Sequence, residues 1–147
     1  MTGKLFVVGL GPGADDLIPP RALAALSVAD DLVGYEPYLR RISHTPTQRV
    51  HASDNREEIP RAEMAIDLAL SGRQVAMVSG GDPGVFAMAA AVFEALESRD
   101  AAERELPVEV IPGISAVLAA AARIGAPCGN DFCVINLSDN LKPFEII

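Results

Sequence analysis

Three times along this chain a short aliphatic, largely β-branched run ends in a glycine/proline loop and is followed by a helical pattern. Leu5-Phe6-Val7-Val8 enters Gly9-Leu10-Gly11-Pro12-Gly13, Val75-Ala76-Met77-Val78 enters Ser79-Gly80-Gly81-Asp82-Pro83-Gly84, and Val108-Glu109-Val110-Ile111 enters Pro112-Gly113-Ile114-Ser115-Ala116. Strand and helix in alternation imply parallel pairing through right-handed crossovers. The expected fold is therefore α/β, a mainly parallel five-stranded sheet with helices on both faces. In such a sheet ligands sit at the loops that leave the carboxyl ends of the strands.

The elements between these units follow the same logic. Pro19 and Pro20 suit the first turn of a helix whose apolar face is Ala22, Leu23, Ala25, Leu26 and Ala29. Asp31 to Tyr35 reads as a strand ending in Glu36-Pro37-Tyr38, and a short strand fits near Arg49 to Ala52. A helix over Glu57 to Leu70 stops at Gly72, and another is expected over Gly84 to Ser98. Ser115 is placed to cap a helix that runs through Arg123 and closes at Gly125. Asp131 to Leu137 reads as a sixth strand. Residues 1–137 are expected to form one domain, with 138–147 as a linker into a C-terminal domain that is absent.

Half of the 147 residues are hydrophobic, yet aromatics make up only 5% and tryptophan is absent. Alanine and small aliphatic side chains must therefore fill the core, with Met77, Phe86 and Met88 packed into it. A net charge of −8 opposes a nucleic-acid partner, which needs clustered Lys and Arg. No run approaches the roughly 20 apolar residues of a membrane span, and no signal-peptide pattern opens the chain. The expected compartment is the cytoplasm. Cys128, Cys133, His44 and His51 do not show the spacing of a metal site, and none is expected.

Gly9, Gly11 and Ala14 match the G-x-G-x-x-A dinucleotide pattern after a strand, with Asp31 or Glu36 available as a ribose acid. In context the match is poor, because Pro12, Asp15, Asp16 and Pro19-Pro20 delay the helix whose N-terminus should meet a phosphate. The glycines then suit an uncharged or cationic ligand, with Asp82 as an acceptor. The plainer alternative is that Asp82 caps the next helix and the glycines only turn the chain.

Several segments together resemble the tetrapyrrole (corrin/porphyrin) methyltransferases. They are GLGPGADD at the first loop, VGYEPYL at Val33 to Leu39, SDNREE at Ser53 to Glu58, VSGGDPGVFAMA at Val78 to Ala89, PGISA at Pro112 to Ala116, and DFCVINLSDNLKP at Asp131 to Pro143. The resemblance covers essentially the whole chain but only the N-terminal domain of a two-domain enzyme. VGYEPYL, SDNREE and DFCVINLSDNLKP are most similar to members that methylate precorrin-3B at C17 with ring contraction to precorrin-4. The cobalt-factor III counterpart of the anaerobic route stays open, as do a dinucleotide-binding domain and a non-catalytic half-protein.

The resemblance implies S-adenosylmethionine as cofactor, S-adenosylhomocysteine as product, precorrin-3B as substrate and a homodimer for the full-length enzyme. Gly80, Gly81, Asp82 and Val85 would line the methionine and sulfonium end of the cofactor, and Ser115 and Ala116 would complete this half of its pocket. Pro12, Tyr35 and Tyr38 would face the macrocycle, and Arg40, Arg41 and Arg56 could pair with its carboxylates. Glu36 occupies a place where relatives carry an acid associated with proton transfer, so it is the candidate catalytic residue. The plain alternatives are a turn before Pro37 for Glu36, packing for the tyrosines and solvated surface charge for the arginines. Pro19 departs from the threonine common in the family, which removes a hydroxyl and an N–H.

Overall fold

A computed structural model describes residues 3–137. Five strands, β1 (Lys4–Gly9), β2 (Asp31–Tyr35), β3 (Arg49–Ser53), β4 (Gln74–Ser79) and β5 (Val108–Ile111), form one sheet in the order β3-β2-β4-β1-β5. Every neighbouring pair is parallel, with Leu5 opposite Val75 and Val108, and Asp31 opposite Arg49 and Val75. The helices are α1 (Pro20–Val28), α2 (Glu36–Leu39), α3 (Glu58–Leu70), α4 (Met88–Glu97) and α5 (Ala116–Ile124).

Side chains alternate across a strand, so each central strand supplies two cores. Leu5, Val7, Val75 and Met77 pack under α3 and α4 against Ala62, Ala65, Ile66, Ala69, Val92 and Ala95. Phe6, Val8, Ala76 and Val78 pack on the other face against Ala22, Ala25 and Leu26 of α1 and Leu39 of α2. Burial on both faces explains why β1 and β4 are nearly continuous apolar runs rather than alternating ones. Each fully buried Val, Leu or Ile contributes roughly 1.5–3 kcal/mol. The alanines bring the helix backbones close to the sheet.

The α/β expectation with helices on both faces is met, with local differences. Asp131 to Leu137 joins no strand, and Phe132, Ile135 and Leu137 are exposed. α4 starts at Met88 rather than Gly84, because Phe86 has φ +52° and Ala87 is extended. Phe86 is consequently 61% exposed and lies outside the core, whereas Met77 and Met88 are buried. Leu23 points away from the sheet at 52% exposure. Glu36-Pro37-Tyr38 forms a helical turn, which proline in a first turn favours. The linker expected at 138–147 lies outside the described residues.

Candidate active site

Parallel pairing brings the carboxyl ends of all strands to one edge, and there the three glycine loops are bonded to one another. Gly11 and Gly81 exchange backbone hydrogen bonds: the Gly11 N–H donates to Gly81 O at 3.1 Å and the Gly81 N–H to Gly11 O at 2.8 Å. Both residues have positive φ, +67° and +62°, which glycine adopts without a Cβ penalty. Asp82 then ties in the third loop. Its Oδ1 accepts from the Gly84 N–H at 2.8 Å and its Oδ2 from the Gly113 N–H at 3.0 Å.

The bare backbone is thus used first for contact between loops. A Cβ on Gly9 would lie 2.7 Å from Gly113 N and 2.8 Å from Gly81 O. A Cβ on Gly80 would lie 2.8 Å from Cζ of Tyr38, so the tyrosine ring occupies the space that the missing side chain leaves. Asp82 does not cap α4, which begins six residues later at Met88. The buried Ser79 hydroxyl is what reaches that helix, accepting from the Met88 N–H at 3.4 Å.

Above these loops lies an open cleft of about 390 Å³. Its walls include Pro12, Tyr35, Tyr38, Gly80, Gly81, Asp82, Val85, Ser115 and Ala116, so it brings together the expected cofactor residues and the three residues expected to face the macrocycle. Tyr35 and Tyr38 meet edge to face, with centroids 5.4 Å apart and planes at 89°. Ser115 Oγ accepts from the Leu118 N–H at 3.4 Å, so it caps α5 while facing the cleft. Phe86 also lines the wall, and its left-handed backbone costs of order 1 kcal/mol, the kind of strain that collects at ligand sites.

Glu36 is not among these residues. It opens α2, pairs with Arg40 at 2.5 Å and lines a neighbouring groove with Pro37, Ala52 and Asp54. The arginines likewise separate. Arg40 is engaged with Glu36 and Arg56 is exposed, while Arg41 reaches the cleft and donates to Leu10 O at 2.9 Å and Gly11 O at 3.4 Å.

Arg61, which was absent from the expected site, lines the cleft from α3 at only 4% exposure. Its signal was a cation on the helix face that also carries Ala62, Ala65, Ile66 and Ala69. Asn55 and Glu58 join the same wall.

The dinucleotide alternative does not survive this geometry. The N–H of Gly11 is bonded to Gly81, and α1 begins only at Pro20, so no free helix N-terminus meets a phosphate at the first loop. β1 pairs with β4 and β5 while β2 pairs with β4, which is not the order of the dinucleotide fold. Asp31, the candidate ribose acid, starts β2 at the opposite edge of the sheet and is held by Arg73 and His51.

A family model described as tetrapyrrole (corrin/porphyrin) methylases matches residues 4–145. A precorrin-3B C(17)-methyltransferase of a Sinorhizobium species is 54% identical over 147 residues, covering 100% of this chain and 58% of the relative. A cobalt-factor III methyltransferase of Priestia megaterium is 42% identical over 149 residues, covering 100% of this chain and 28% of that protein. The crystal structure of the methyltransferase CobJ matches with a TM-score of 0.93 at 54% identity, over 99% of this chain and 60% of the other. The chain therefore spans less than two thirds of the length of these relatives. With the five-stranded parallel sheet and its knitted strand-end loops, these likenesses show that the chain belongs to the tetrapyrrole (corrin/porphyrin) methylase family.

Proposed function

We propose that this chain forms the cofactor-facing half of an S-adenosylmethionine-dependent C-methyltransferase of cobalamin biosynthesis. In this reading the substrate is precorrin-3B, methylated at C17 with ring contraction to precorrin-4. The cleft carries the proposal: three loops from different strands converge there, held by backbone bonds and by Asp82. The residues suit a folded, cationic nucleoside. Apolar Val85 and Ala116, Gly81, Asp82 and the aromatic residues Tyr35 and Tyr38 line one space, and the N–H groups of Leu10 and Gly11 in the first loop are already engaged.

When bound, S-adenosylmethionine supplies an activated methyl on sulfur. What this chain adds is alignment, which is the larger need when the electrophile is already activated. Gly80, Gly81, Asp82 and Val85 hold the methionine end, Ser115 and Ala116 close this side of the pocket, and Pro12, Tyr35 and Tyr38 border the macrocycle. Glu36 faces a separate groove and carries no step in this scheme. The cobalt-containing substrate is the second reading, favoured by the 42% identity to the cobalt-factor III enzyme. Among the described residues no helix is long and apolar enough to cross a membrane. We take the full-length enzyme to be a cytoplasmic homodimer.

Calorimetric titration with S-adenosylhomocysteine and with NAD tests the proposal. Weak saturable binding of the adenosyl ligand, none of NAD, and no turnover by the 147-residue chain alone are expected. Saturable NAD binding with no response to S-adenosylhomocysteine would overturn it.

A further inference from the structure

Arg61 is the only arginine or lysine among the described residues that is buried, and its partners are neutral. Its Nε donates to Ser53 Oγ at 2.7 Å, one Nη to the Asp54 carbonyl and the other to Met88 Sδ at 3.3 Å, a weak acceptor. A guanidinium carries five N–H groups, so each terminal nitrogen keeps one N–H with no partner among the described residues. Glu57 and Glu58 act on it only through space, and neither forms an ion pair with it. Burial without a paired anion pulls the Arg61 guanidinium below its usual range, against the pull of those acids.

A charge removed from water is costly unless it is paired, so a buried cation with neutral partners on a cleft wall points to an anion supplied from outside. A second donor lies in the same cleft. The Nε of Arg41 is buried and has no hydrogen-bond partner, although the rest of that guanidinium holds the carbonyls of Leu10 and Gly11. Asp82, which lines the same cleft, has both oxygens engaged with Gly84 and Gly113.

Resting on the function proposed above, we propose that Arg61, assisted by Arg41, is a carboxylate-binding site that takes an acid group of the bound ligand on the open side of its fork. Two ligands of the proposed reaction carry such groups: the amino-acid end of the adenosyl cofactor and the acid side chains of the tetrapyrrole. Arginine suits either, because its planar fork matches a carboxylate with two parallel bonds.

Titration of the unsubstituted chain, Arg61→Met and Arg61→Lys with three probes separates these sources. The probes are S-adenosylhomocysteine, 5′-methylthioadenosine, which lacks the amino-acid carboxylate, and uroporphyrin III. Arg61→Met is expected to weaken one or both carboxylate probes by about tenfold or more, with 5′-methylthioadenosine unchanged. Loss confined to S-adenosylhomocysteine assigns the amino-acid end, and loss confined to uroporphyrin assigns the macrocycle.

Equal binding of both carboxylate probes by folded Arg61→Met overturns the site, as does equal weakening of all three probes, which marks a purely structural role. If Arg61→Met does not fold, Arg61→Lys decides: about threefold selective weakening supports the fork, and none overturns it. Should the unsubstituted chain bind none of the three, the proposed function falls together with the site. Binding of 5′-methylthioadenosine with variants indifferent to carboxylates removes only the site.

Discussion

Gly113 shows how a single residue governs the cleft. A Cβ there would land inside the contact radius of the Gly81 carbonyl oxygen and 3.0 Å from the Gly9 carbonyl carbon. Those atoms are backbone, so no side chain can swing aside. Both belong to the other two loops, so Gly113→Ala must push the three strand ends apart and stretch the 3.0 Å bond from its own N–H to Asp82. Overpacking of this kind costs about 2–3 kcal/mol, which for a chain of this size lowers Tm by roughly 4–12 °C. Thermal unfolding should show that fall together with loss of S-adenosylhomocysteine binding. Unchanged Tm and binding would mean that the loops do not depend on this close approach.

At the scale of elements, the strands are joined at their other edge by a charged cluster. Asp31 at the start of β2 is fully buried, lies 2.7 Å from His51 Nε2 of β3 and is paired with Arg73 just before β4. Burial pushes its carboxyl upward, but the hydrogen bonds and charges of Arg73 and His51 outweigh that, and the carboxyl is held below its usual range. The folded state therefore binds this proton less tightly than the unfolded chain. The resulting stabilisation is complete above about pH 4 and is lost as pH falls through the folded value. Asp31→Asn should cost about 2–3 kcal/mol at pH 7 and progressively less below pH 4, read as the Tm difference from the unsubstituted protein. A difference that stays constant down to pH 3 would show that the pairing contributes nothing.

Elements of this kind differ in how openly the sequence announces them. β1, β2 and β5 were legible because an apolar run stops abruptly at glycine, tyrosine-glutamate-proline or proline, and α5 because Ser115 and Gly125 mark both ends. The start of α4 was not legible. Gly84 to Ala87 has nothing that forbids a helix, and no local motif announces the positive φ of Phe86. The site divides in the same way. Its members could be named from local motifs, while the use of the glycines for loop contact, the bond of Asp82 to Gly113 and the inward guanidinium of Arg61 depend on residues roughly 30 to 70 positions apart being brought together. Glu36 carried a local motif as well, yet one helical turn directs it to Arg40 and the neighbouring groove.

Taken as a whole molecule, the sheet order grades stability from the centre outward. β1 lies between β4 and β5, and β4 between β1 and β2, so both have ladder partners on each side and residues such as Leu5, Val7, Val75 and Met77 are fully buried. β3 pairs only with β2 and is mostly exposed or half-buried, while α5 contains no buried residue. Residues 127–137 lie in no helix or strand. Local opening requires less free energy where little apolar surface is covered, so amide exchange should be ranked by these layers. Amides of β1 and β4 are expected to exchange only through global unfolding. Those of β3 and α5 should be at least about tenfold less protected, which corresponds to about 1.4 kcal/mol, and those of 127–137 least of all. Saturation with S-adenosylhomocysteine should raise protection most at the β4–α4 and β5–α5 loops, because a ligand stabilises the elements it bridges. Protection of β3 equal to that of β1, or a ligand effect confined to the sheet edge at Asp31, would contradict both the layering and the placement of the cleft.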